Sequence, residues 1–189
     1  MYYLILLLTM VITMASQNYI QSTYRKTREI SSQKGMSGRE VARKILDENG
    51  LKKVKVVEVE GTLTDHYDPK EKVVRLSKDI YNNSSLASIS VASHECGHAI
   101  QDKEGYVFLR FRNSIVPLVN LASRAGYIII LISVLTSLVR LLWIGILMEV
   151  VILLFQVVTL PVEFDASSRA LKQIKELKIV QEKEHSTCR

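Results

Sequence analysis

Residues 86–102 read LASISVASHECGHAIQD, and whether this stretch is helical decides how the rest of the chain is organised. Asn83, Ser84 and Ser85 offer N-caps just ahead of it, Gly97 is its sole glycine, it holds no proline, and Gly105 supplies a stop. Inside it stands His94-Glu95-Cys96-Gly97-His98, an H-E-x-x-H pattern. At about 100° per residue the two imidazoles fall roughly 40° apart and one turn from each other, so both reach one metal ion. A Zn2+ ion held by two imidazoles and a third protein ligand keeps a position for water and lowers that water's pKa toward about 7. Glu95, beside the metal, is then the general base that takes the proton and returns it to a leaving amine. Cys96 lies about 200° around the helix from His94 and packs away from the metal.

Upstream of this helix, residues 21–113 alternate helix and strand signals. Ser37 with Glu40 makes a capping box, Val41, Ala42, Ile45 and Leu46 share one helical face, and Gly50 ends the turn. Two valine-rich runs, residues 54–60 and 72–77, read as strands joined by a loop rich in turn residues, Gly61, Asp65, Asp68 and Pro69 among them. His66 falls in that loop, either solvated in a turn or close to the cleft as a metal or substrate contact.

Apolar residues are bunched in two further places. Residues 1–16, MYYLILLLTMVITMAS, carry no charge, and with neutral residues following they suit a membrane anchor over 1–20. No Lys or Arg precedes the run, which argues against a secretory signal. Residues 115–160 are interrupted by Arg140, and 115–139 and 141–160 are each long enough to cross a bilayer, so a hairpin turning at Arg140 is predicted. Arg25, Lys26, Arg28, Lys34, Arg39, Arg43 and Lys44 follow the anchor, which places the middle of the chain on the cytoplasmic face of the plasma membrane. Much of the net charge of +6 thus lies beside a membrane span, where anionic lipid explains it, and no nucleic-acid module is discernible. Cys96 and Cys188 are the two cysteines, too few for a disulfide framework.

The third ligand must come from elsewhere. Leu160-Pro161-Val162-Glu163-Phe164-Asp165-Ala166 places Glu163 and Asp165 where a helix starting near Pro161 leaves the membrane. His94 and His98 precede two crossings and these carboxylates follow them, so an even number of passes returns the chain to the same side. The predicted organisation is therefore α+β: an anchor (1–20), a cytosolic H-E-x-x-H domain with a small sheet (21–113), a transmembrane helical hairpin (114–160), and a ligand helix with a tail (161–189).

The strings GTLTDHYDPKEKVVRLS (61–77), VASHECGHAIQ (91–101) and LPVEFDAS (160–167) closely resemble the YugP-like membrane zinc metallopeptidases, and the resemblance covers most of the chain. It implies a zincin-like fold, Zn2+ as cofactor and a protein or peptide substrate at the bilayer. More distantly, Glu163-Phe164 is similar to the third-ligand segment of HtpX-like membrane proteases, which implies Glu163 as the third ligand. Those relatives carry an acidic residue four positions later; here Ser167 stands there, leaving Asp165 as a partner of the ligand or its substitute. YugP-like members continue into a further apolar segment, whereas this sequence runs on to Lys183-Glu184-His185-Ser186-Thr187-Cys188-Arg189.

The remaining residues give narrower expectations. Val73, Val74 and Leu76 form either an exposed strand that holds extended substrate or an ordinary core strand. Glu149, inside the second arm, is either protonated or bonded to Ser133 or Ser137 on the facing arm. His185 and Cys188 sit in a charged tail expected to be disordered. The rival to a peptidase is a non-catalytic membrane scaffold with a structural zinc, but such a site has no use for Glu95.

Overall fold

The computed structural model describes residues 2–188. The chain divides into two compact units, one of residues 1–99 with 169–189 and one of residues 100–168. Among the described residues it is mostly helical, with one small mixed sheet.

In the first unit, α1 (Tyr2–Glu29) runs unbroken through the predicted anchor and nine residues beyond it. Leu7, Leu8, Met10, Val11 and Ile12 are all exposed along it. Next comes α2 (Gly38–Glu48), which begins as its sequence demands. The Ser37 hydroxyl accepts the Glu40 N–H at 3.3 Å, and the Glu40 carboxylate accepts the Ser37 N–H at 2.8 Å, which satisfies two orphan donors. Its apolar stripe, Val41, Ala42, Ile45 and Leu46, is fully buried. At the far end Gly50 adopts a φ of +69° and the Leu51 N–H returns to the Leu46 carbonyl at 2.7 Å, closing the helix.

The sheet has the order β1-β3-β2, with β1 (Lys55–Val59) parallel and β2 (His66–Asp68) antiparallel to β3 (Val73–Ser77). Two predicted strands are present, and the third, β2, lies inside what reads as a loop. His66 consequently stands on an edge strand rather than in a turn. Central β3 is paired on both sides, and Val73, Val74 and Leu76 are buried, so they form a core strand and not an exposed one.

A short helix, α3 (Lys78–Asn82), leads to α4 (Leu86–Glu104). The Ser85 hydroxyl accepts the Ser88 N–H at 3.1 Å and so caps α4, the role expected of this serine cluster. Ser32 and Leu86 N–H groups bond to the Ser84 and Ile30 carbonyls, at 2.9 Å each, fixing the start of α4 to the segment after α1.

The C-terminal segment corrects the expectation of disorder. Lys178 turns the chain with a φ of +49°, and the Ile179 N–H reaches the Ile174 carbonyl at 3.0 Å. Ile179 and Val180 are buried, and the Glu184 carboxylate accepts the N–H groups of Gln33 at 3.0 Å and Gln181 at 2.8 Å. Burial of two apolar side chains, each contributing about 1.5–3 kcal/mol, offsets the entropy of ordering a charged tail.

In the second unit, α5 (Val107–Thr136) and α6 (Val139–Glu176, here to residue 168) are each long and apolar enough to cross a membrane. The turn falls at Ser137 and Leu138, not at Arg140. Ser137 takes a φ of +57°, and Ser133 bonds Leu138 twice: its carbonyl accepts the Leu138 N–H at 3.2 Å and its hydroxyl donates to the Leu138 carbonyl at 3.0 Å. Those bonds close α5, leaving Arg140 exposed in the first turn of α6. They also engage the Ser133 hydroxyl, so Glu149 does not bond to it; the Glu149 carboxylate lies against Gly126 instead. Gly126 and Gly145 let the two helices approach closely, since a side chain on Gly145 would strike Ile130. Nor does a new helix start at Pro161. Helix α6 continues through it, as apolar helices tolerate when the freed carbonyl is accommodated locally.

Candidate metal centre

Helix α4 presents its two faces to different tasks. On one, Cys96 is fully buried with its thiol directed at the Ala42 carbonyl, 3.6 Å away, and burial pushes the thiol pKa well above its usual range. That leaves Cys96 a packing residue. On the other, His94 and His98 stand one turn apart with ring centroids 4.8 Å from each other and planes at 86°. His98 is buried and His94 half-buried.

Glu95 is 8 % exposed. Burial raises its carboxyl pKa above the ordinary value; the charges of His94 and His98 and a hydrogen bond from the Tyr67 backbone N–H oppose that rise, while Asp65 adds to it. The contact from Tyr67 was not anticipated from sequence. A main-chain donor has no residue-type signature, and the sole hint was that DHYD falls within a string shared with a known family. Asp65 is itself engaged, accepting the Ser77 N–H at 2.6 Å and the Ser77 hydroxyl at 3.2 Å. His66 is exposed, its Nδ1 donating to the Thr64 carbonyl at 2.8 Å, which leaves Nε2 as the ring's remaining polar atom.

Within the second unit, Glu163 and Asp165 lie on α6, both half-buried. The Glu163 carboxylate is 3.9 Å from the Arg112 guanidinium. Asp165 Oδ2 accepts from the Gln101 side-chain amide at 2.8 Å, and the same amide donates to the Val162 carbonyl at 2.8 Å. Gln101, fully buried, thus ties the backbone just before Glu163 to the Asp165 side chain, a role its sequence position did not reveal.

Comparison with known proteins now gives these residues a context. The family described as "Putative neutral zinc metallopeptidase" matches residues 2–189. The chain belongs to this family. Its cofactor is accordingly Zn2+. Among curated proteins the chain is similar to "Putative membrane protease YugP" of Bacillus subtilis (strain 168), with 47% identity over 159 residues, 84% of this chain and 70% of the relative. No solved structure matches the chain. Zinc-peptidase membership agrees with the H-E-x-x-H reading, and the relative's name agrees with two helices long and apolar enough to cross a membrane.

Proposed function

We propose that the chain is a membrane-bound zinc metalloendopeptidase hydrolysing peptide bonds of membrane-associated proteins or peptides. The observation that carries this reading is the pair of imidazoles at 4.8 Å on one face of α4, beside a buried Glu95 held by a backbone N–H. In this reading His94, His98 and Glu163 hold the zinc, Glu163 being the third ligand that the family resemblance implies. Two imidazole nitrogens and one carboxylate oxygen are a donor set that zinc accepts, and three protein ligands leave the fourth position for water or substrate. When bound, zinc supplies Lewis acidity toward the scissile carbonyl and the attacking water.

Glu95 takes the proton from that water and delivers it to the leaving amine nitrogen. Its burial favours the protonated form needed for delivery, while the Tyr67 N–H favours the carboxylate needed for uptake. Balancing the two keeps one side chain competent in both directions. Asp165, engaged by Gln101, orients the segment bearing Glu163 rather than acting as a ligand.

Helices α5 and α6 form the transmembrane hairpin, and the apolar part of α1 is the N-terminal anchor. Support for the hairpin comes from the length and apolar character of α5 and α6, and for the anchor from the uncharged run that opens α1 with its exposed apolar side chains. The basic residues after the anchor put the zincin-like domain on the cytoplasmic side. The test is zinc stoichiometry with casein or membrane-protein cleavage on detergent-purified wild type and Glu95→Gln. One zinc in both with cleavage in wild type alone supports the enzyme. One zinc with no cleavage in either favours a structural site, and absence of zinc from wild type overturns the centre.

A further inference from the structure

We propose that the end of α6 and the segment after it form a binding site for a phosphate-bearing small molecule or headgroup. A cavity of about 680 Å³ opens there, lined by Lys34, Lys175, Lys178, Gln181 and His185, with Val180 contributing apolar surface and Glu182 the one acidic side chain. A second cavity of about 550 Å³ shares Lys175 and His185 and adds Lys172 and Ser186. Small-ligand pockets commonly span about 300–1,000 Å³, so the space exceeds what a bare phosphate needs and admits an organic portion.

The charges are arranged for an anion. Among the described residues neither the Lys175 nor the Lys178 ammonium has a carboxylate within ion-pair distance, whereas Lys172 is 3.9 Å from Glu176. The Lys34 ammonium donates to the Lys178 carbonyl and has two further N–H donors to spend. The Lys44 ammonium donates to the Leu177 carbonyl at 3.2 Å. These two cations offset the negative end of the α6 dipole, which would otherwise repel an anion. Three ammoniums against one carboxylate, with the His185 ring and the Gln181 amide as donors, suit a ligand with several acceptor oxygens and high charge density.

The wall is also fixed before any ligand arrives. Buried Ile179 and Val180 pin the chain after Lys178, and Glu184 bonds the backbone of Gln33 and Gln181, so His185 does not hang on a free tail. Preorganisation of this kind lowers the entropy cost of binding.

The test uses full-length protein in nonionic detergent with labelled histidine rings. The four histidines are His66, His94, His98 and His185, so each ring can be followed. Inorganic phosphate, titrated at constant ionic strength, is expected to shift the His185 resonances saturably and leave His66 unmoved. Lys175→Gln with Lys178→Gln, two exposed side chains without structural bonds, should weaken this by about tenfold. Protein in nanodiscs of phosphatidylcholine alone is compared with discs containing phosphatidylglycerol. A His185 shift in the anionic discs without phosphate identifies a headgroup ligand, and a shift on added phosphate alone identifies a soluble one. An unmoved His185 with both probes, or an equal shift in the double variant, overturns the site.

Discussion

The backbone N–H of Tyr67 hydrogen-bonds the carboxyl group of Glu95, joining the edge strand β2 to the helix that carries His94 and His98. A donor aimed at a carboxylate stabilises its charged form, so this bond lowers the Glu95 pKa against the rise caused by burial. Tyr67→Pro removes that N–H and no other backbone donor. Proline is tolerated on edge strands where the N–H is not part of the ladder. Glu95 should then titrate higher, and a base needed as carboxylate becomes available at higher pH. The acidic limb of the kcat/KM profile is expected to move to higher pH in Tyr67→Pro and to stay in place in Tyr67→Phe.

Gly38 begins α2 directly behind its cap, and a Cβ there would collide with the carbonyl oxygen of Ile80. The obstruction is backbone, which cannot rotate aside as a side chain does. Gly38→Ala should therefore cost roughly 1–3 kcal/mol or more, although alanine favours helix elsewhere. Denaturant unfolding in detergent, compared with an exposed helical control such as Glu48→Ala, reads the difference.

The capping box gives a pH-dependent contribution of predictable sign. Hydrogen bonds from the Ser37 backbone and hydroxyl hold the Glu40 carboxyl below its ordinary pKa. A pKa depressed on folding means stability that is present above the unfolded value of about 4.3 and is lost as pH falls through the folded value. Ser37→Ala should destabilise by about 1 kcal/mol at neutral pH. Glu40→Gln should cost less, because the group is almost fully exposed, and its deficit should shrink on acidification. Thermal unfolding across that pH range measures both.

Local signals were the legible ones. The capping box of α2, the serine cap of α4, the valine runs of β1 and β3 and the spacing of His94 and His98 each depend on residues a few positions apart. What sequence missed depends on distant partners. Strand β2 is three residues long, ends on Asp68 and is flanked by Gly61, Asp65 and Pro69, whose turn signals outweigh it; it exists because β3 offers a free edge. The tail reads as charged and loose, but Ile179 is buried and Glu184 finds a partner far along the chain in Gln33. Pro161 reads as a helix start, and a continuous apolar helix carries it instead. In the centre itself, Tyr67 contributes main chain, which no residue identity announces.

The proposed centre takes Glu163 as the ligand and Asp165 as its neighbour, an assignment that substitution of each carboxylate tests. Asp165 receives a 2.8 Å bond from the Gln101 amide, a neutral donor that leaves the carboxylate fixed. Glu163 stands 3.9 Å from Arg112, an ion pair too long for a close hydrogen bond. On that assignment Glu163→Ala should release zinc, whereas Asp165→Asn should retain stoichiometric zinc and lose about 10- to 100-fold in affinity, as the loss of a ligand-supporting group does. Metal content after dialysis and a chelator competition distinguish the two. Full zinc retention in Glu163→Ala together with loss in Asp165→Asn would reverse the assignment and make Asp165 the third ligand.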